Sequence, residues 1–213
     1  MPPKAKYTRD EVAQKALDII KEQGIDKLTA RELGKRLETS SRPVFTAFQN
    51  MEEVKMAARE LAMKEFIEYV GDYKEYTPAF KRIGMMLVSY GIYYPELFKL
   101  LFIKENANKN FKELMGDISD IFDTCTALIM RDYKITKEEA VIVFEHCCTT
   151  AFGLGTMCAM GVCSFTDEEI GRKLGLSFMG ALMVIKSGRL SRIYPDVEKS
   201  DNGKYHGIPL YDI

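Results

Sequence analysis

Apolar residues recur along this chain at intervals of three and four, the period of a helix with one buried face, and strand-like alternation is hard to find. Four Thr-x-x-Glu patterns mark helix starts: Thr8 to Glu11, Thr29 to Glu32, Thr136 to Glu139 and Thr166 to Glu169. In each, the hydroxyl can accept from a free backbone N–H while the carboxylate reaches back to the cap. The pattern predicts helices over Arg9–Gln23, stopped by Gly24, and over Ala30–Leu37. After a turn at Glu38–Ser40, a third short helix runs through Val44 and Phe48, with Pro43 in its first turn. A longer helix is expected from about Glu52 to Val70. Beyond a border at Asp72–Thr77, Pro78 reopens the pattern, and Pro95 divides Phe80–Tyr94 from Glu96–Ile103 at a bend. Further helices are expected over about Asn110–Met130, Lys137–Met160 and Asp167–Ser187, with an irregular tail from Arg189. The fold class is therefore all-α.

Composition narrows the class. The chain has 213 residues, of which 46% are hydrophobic and 29% charged, as in an ordinary globular protein. The start, MPPKAKYTRD, has no apolar core of a secretory signal, and no run of about 18 uninterrupted apolar residues is present, so a cytoplasmic protein without a membrane partner is expected. Five cysteines (Cys125, Cys147, Cys148, Cys158, Cys163) lack paired CxxC spacing, which argues for reduced thiols and against a metal site. Two histidines, His146 and His206, and the absence of GxSxG, P-loop or GxGxxG patterns leave no nucleophile–base set, so neither an enzyme nor a cofactor is expected.

Charge changes the picture locally. The net charge is −1, which excludes a generally basic nucleic-acid coat. Residues 1–50, however, hold ten Lys or Arg against seven Asp or Glu, a local charge of +3. Two short helices separated by a tight turn within residues 29–48 have helix-turn-helix geometry, in which the second helix enters the DNA major groove. A plain helical hairpin is the bland alternative; the charge asymmetry favours contact with a polyanion.

The run Gly24-Ile-Asp-Lys-Leu-Thr-Ala-Arg-Glu-Leu-Gly-Lys-Arg-Leu-Glu-Thr-Ser-Ser-Arg-Pro-Val-Phe-Thr-Ala-Phe48, continued by Asn50-Met-Glu-Glu-Val54, resembles the DNA-binding domain of the TetR (tetracycline repressor-like) transcriptional regulators. The resemblance implies an N-terminal DNA-binding domain at 1–50, a linking helix at 51–77, a helical effector-binding and dimerisation domain at 78–188 and a tail at 189–213. It places Thr29 at a cap that also touches phosphate and Arg31 at a base edge, where an arginine can grip guanine in bidentate fashion. Ser40, Ser41 and Arg42 are expected to begin the recognition helix, on which Phe45 and Thr46 face the DNA; Lys55 can reach the backbone. Three positions depart from the family pattern: Glu38 stands at the usual turn glycine, Phe45 at the usual tyrosine and Met51 at the usual lysine.

The segment Tyr90-Gly-Ile-Tyr-Tyr-Pro-Glu-Leu-Phe-Lys-Leu-Leu-Phe102 is similar to a stretch of TetR-family ligand domains. It implies a pocket between these helices and the one carrying His146, lined by Tyr90, Phe98, Phe102, Phe122, His146, Thr149 and Phe152. Read from the residues alone, such aromatic side chains are core by default, and Cys147 and Cys148 read as core more readily than as oxidant sensors. Small residues at Ala151, Gly155 and Ala159 on one C-terminal helix, and at Gly171 and Gly175 on the next, suggest close packing, and the resemblance places it across a homodimer interface. The expected function is a repressor released from a palindromic double-stranded operator by a small apolar or aromatic effector. The alternatives are a small-molecule-binding or adaptor protein without sequence-specific DNA binding, and a nucleoid or activator protein that needs no effector.

Overall fold

The computed structural model describes residues 7–103 and 118–194, and among these all regular structure is helical. The first unit comprises α1 (Arg9–Gln23), α2 (Ala30–Arg36) and α3 (Val44–Ala47), closed by the long α4 (Met51–Val70). The Thr8 box forms as expected, with Glu11 N donating to Thr8 Oγ1 at 3.2 Å and Thr8 N to Glu11 Oε2 at 2.8 Å. Val12, Leu17, Ile20, Leu33, Leu37, Val44 and Phe48 are all buried, and Val54 and Ala58 of α4 are buried with them. Each of the larger side chains contributes about 1.5–3 kcal/mol by leaving water. The cap of α4, Asn50, lacks the Thr signature: Glu53 N donates to Asn50 Oδ1 at 2.9 Å, and Glu53 in turn accepts from Gln49 N at 3.0 Å.

The second unit is a bundle of α5 (Ala79–Tyr93), α7 (Ser119–Tyr133), α8 (Lys137–Ala159) and α9 (Asp167–Lys186). Between α5 and α7 lies α6 (Pro95–Phe98), which continues as a π-helical turn over Lys99–Ile103. Tyr94–Pro95 turns the chain by 115°, as Pro95 in the sequence implies. The helix expected from about Asn110 is described only from Ser119, its earlier part lying outside the described residues. A last turn, α10 (Leu190–Ile193), breaks into the tail expected to be irregular; residues 195–213, including His206, lie outside the described residues.

By length and composition α8 is apolar enough to cross a membrane, although Glu145 and His146 interrupt its apolar run. Here it is the central helix, packed against α5, α7 and α9. Its closest neighbour is α5. A Cβ built on Gly91 would lie 2.6 Å from the Gly155 carbonyl oxygen, and one on Gly155 would lie 2.8 Å from the Phe98 ring. Ala151, Gly155 and Ala159 are buried within one chain. Their small size is thus used inside the chain, contrary to the expected role between chains.

The two units touch through α6. A Cβ at Gly24, whose φ of 82° suits glycine, would lie 2.5 Å from Glu96 Oε2. Further along the same segment, Arg59 of α4 donates to the Leu101 carbonyl at 3.2 Å.

Candidate functional site

Two features stand out from the helical frame: the exposed face of α2 and α3, and a cavity among α5, α8 and α9. On the first, Thr29 Oγ1 accepts from Glu32 N at 3.2 Å, so the cap forms. The expected box is only half made, because Glu32 turns to Lys35 at 3.1 Å. Leu37, Glu38 and Thr39 then end α2. Thr39 N donates to the Gly34 carbonyl at 2.9 Å and Glu38 N to that of Lys35 at 3.0 Å, which is the Schellman pattern. Its left-handed position falls on Glu38, with φ of 50°. A non-glycine residue there costs about 1–2 kcal/mol. Glu38→Gly is therefore expected to raise stability by about 1 kcal/mol, read as a higher midpoint in urea with an unchanged slope.

Gly34 permits this turn to fold back. A Cβ there would meet Ser40 C and Ser41 N, each at 3.0 Å. Sequence reasoning passed over Gly34, although a glycine inside a seven-residue helix is itself a signal of close approach. Ser40, Ser41 and Arg42 do not begin the recognition helix: they form the turn, and α3 starts at Val44 after Pro43. The ring of Pro43 disfavours helical geometry at Arg42.

Thr29, Arg31, Ser40, Arg42, Phe45 and Thr46 are exposed, or nearly so, and Ser41 is half-buried. Phe45 leaves 46% of its surface in water with the core beside it already filled by Phe48. Most nearby cations are internally neutralised: Arg36 pairs with Glu22, Lys21 with Glu65 at 2.7 Å, and Lys55 with Glu52 at 2.7 Å. The Arg36 guanidinium holds the Glu22 carboxyl below its ordinary range. Arg9 lies over the Phe48 ring at 4.1 Å and 3.5 Å from Glu53. By contrast, neither Arg31 nor Arg42 has a carboxylate partner among the described residues.

The cavity holds about 250 Å³. Phe80, Ile83, Gly84 and Leu87 of α5 line it, with Phe144, Cys147, Cys148 and Ala151 of α8 and Leu174, Gly175, Phe178 and Met179 of α9. Pro78, Lys81 and Tyr133 complete the lining. Phe80 stacks on Phe178 at 4.4 Å between ring centroids, and Tyr133 lies 4.9 Å from Phe178. None of the seven residues expected to bind a ligand is among the lining. Tyr90, Phe98, Phe102 and Phe152 instead fill one another's space. Phe66 contacts Tyr90 at 5.0 Å and Phe102 at 5.2 Å, and Phe102 contacts Phe98 at 5.2 Å and Phe152 at 5.3 Å. Phe122 packs edge-on against Phe144 at 5.3 Å. His146 and Thr149 lie on the outer face of α8. A signal for the true lining exists in the run Phe80, Ile83, Gly84, Leu87, one inner face of α5 at helical spacing.

Burial pushes the Cys147 thiol up to about 12, against a smaller opposing effect of a hydrogen bond with Ser177, and it raises Cys148 well above the ordinary thiol range. Both stay protonated at neutral pH, which suits packing rather than oxidant sensing. Among the described residues no group of His, Cys, Asp and Glu is arranged to hold a metal.

No family model matches this chain, and none of the curated proteins matches it. Among solved structures, the crystal structure of a transcriptional regulator from Rhodococcus sp. Rha1 is similar, with a TM-score of 0.63. The match covers 83% of this chain and 97% of that one at 14% identity, so the likeness is one of fold. It is consistent with the all-α architecture of an N-terminal helix-turn-helix unit joined to a larger helical bundle.

Proposed function

We propose that this protein is a ligand-responsive, DNA-binding transcriptional regulator of the TetR type, a dimeric repressor released from a palindromic operator by a small apolar or aromatic effector. The observation that carries the reading is the face of α2 and α3. Arg31 on α2 and Arg42 on the turn that packs against Gly34 stand exposed and, among the described residues, without a carboxylate partner, beside hydroxyls and an exposed phenyl ring. A guanidinium with no internal partner has its full charge and hydrogen-bonding capacity for phosphate or a base edge. The fold shared with a protein described as a transcriptional regulator supports the same reading. The cavity supports ligand response. Its lining is almost wholly apolar, so it suits a ligand driven in by the hydrophobic effect.

The dimer interface is proposed at the outer faces of α8 and α9. Leu176, Gly180 and Met183 form one stripe on α9; Leu176 is 77% exposed and Met183 is 65% exposed. His146 of α8 shares a shallow groove with Gly180, and Thr149 and Gly153 continue the outer face of α8. Among the described residues, the helix's own backbone aside, nothing lies within 4 Å of a Cβ at Gly153 or Gly180. Two helical glycines, each costing about 1 kcal/mol relative to alanine, therefore have no close neighbour among the described residues. The double variant Leu176→Glu, Met183→Glu is expected to sediment as a folded monomer at micromolar concentration, with unchanged helical circular dichroism. Retention of the dimer would move the interface elsewhere.

Gel-shift and footprinting experiments on the DNA upstream of the chain's own coding sequence test the central claim. A protected palindrome whose affinity falls steeply with salt is expected. Failure to bind any duplex at low salt would leave a ligand-binding helical protein in its place.

A further inference from the structure

We propose that the effector is an apolar monocarboxylate, its carboxylate held at the cavity mouth by Lys81. The inference rests on reading the cavity as the effector site and adds the ligand's charge and orientation. Lys81 and Met179 are the two exposed members of the lining, which places the opening between them. The Lys81 side chain crosses from α5 towards α9, where its Nζ lies 3.9 Å from a Cβ built on Gly171.

Among the described residues Lys81 is the only charged member of the lining, and no carboxylate pairs with it. Of the three acids that open α9, Glu168 lies 3.3 Å from Arg172, Glu169 closes the cap at Thr166, and Asp167 makes no ion pair with Lys81. An ammonium at the rim of an apolar chamber selects a molecule with one anionic end. The apolar remainder enters, and the charge stays where water and Lys81 can solvate it. A cation at that position would be repelled. A polyanion would have to place charges against Phe80, Phe178 and Leu174, which offer no hydrogen bond.

Isothermal titration of the full-length protein with octanoate, 1-octanol and octylammonium tests this directly, without DNA. Octanoate is expected to bind about tenfold more tightly than octanol, and octylammonium more weakly than either. Lys81→Met should bring octanoate down to the affinity of octanol and leave octanol within about twofold of its original value. Lys81→Glu should reverse the order of octanoate and octylammonium. Because Lys81 is exposed, both variants are expected to fold, and circular dichroism checks that they do. Equal affinities of octanoate and octanol for the unaltered protein, or an octanoate preference that survives in Lys81→Met, would overturn the proposal. Binding of none of the three would overturn both the proposal and the effector-site reading, while the gel shift would still judge DNA binding separately.

Discussion

Gly91→Ala is expected to lower the stability of this protein by about 2–4 kcal/mol. The new Cβ would fall 2.6 Å from the Gly155 carbonyl oxygen and 3.1 Å from Gly155 Cα. Both are main-chain atoms of the central helix, so no rotamer change can relieve the clash. The helices α5 and α8 must separate, and every pair along their crossing then packs less closely. Alanine's better helix propensity returns only about 1 kcal/mol. Gly155→Ala provides the contrast. Its Cβ meets the Phe98 ring at 2.8 Å, and a ring can shift where a backbone cannot, so a loss of about 1–2 kcal/mol is expected. Urea unfolding at one fixed protein concentration ranks the two. Equal and small losses would show that α5 and α8 are further apart than described.

The second large effect is expected on DNA. On the proposed reading, Arg31→Ala should cost about 1–3 kcal/mol on the operator and relax preference at one base pair, because its guanidinium stands on the exposed face of α2 where that reading sets a base edge. Arg42→Ala should weaken operator and scrambled duplexes alike and reduce the salt slope by about 0.9 for each phosphate that the side chain neutralises. The double variant should bind its operator at least about a hundredfold more weakly while unfolding at the same urea concentration, since neither side chain has a carboxylate partner among the described residues. Binding isotherms at three salt concentrations on both duplexes separate the roles. Sequence-independent losses of equal size would remove direct readout by Arg31.

These two expectations draw on different layers of the sequence. Helix starts were legible because capping is local. Thr8, Thr136 and Thr166 each meet a glutamate three residues on, and α1, α8 and α9 begin one residue after them. The hydrophobic frame of the first unit was legible for the same reason, as periodicity over short spans. The start of α3 was misread because Pro43 fits a first helical turn as readily as the residue just before it; packing of the turn onto Gly34 decides between them. The cavity was misplaced for a deeper reason. Aromatic density signals a large apolar volume but not whether the rings fill it themselves, and Phe66, Tyr90, Phe98, Phe102 and Phe152 do. An unfilled chamber arises where three helices diverge, which depends on crossing geometry that no local pattern carries. Charge asymmetry likewise pointed to the first unit but did not tell Arg31 and Arg42, which face no carboxylate, from Arg36 and Lys21, which pair with carboxylates contributed by other helices.

The approach of Glu96 to Gly24 carries a consequence for how the two units exchange information. Gly24 ends the first helix of the N-terminal unit, and Glu96 belongs to the short segment that also packs Phe98 onto Gly155 in the bundle. Both contacts set side chains of that segment against glycine main chain: the Glu96 carboxylate at Gly24 and the Phe98 ring at Gly155. If a molecule in the bundle weakens operator binding by some factor through this segment, the operator must weaken retention of that molecule by the same factor. DNA would then act as an antagonist of the small molecule. The dose needed to release a bound promoter would exceed the dose that saturates free protein, and the gap between the two curves would measure the coupling free energy.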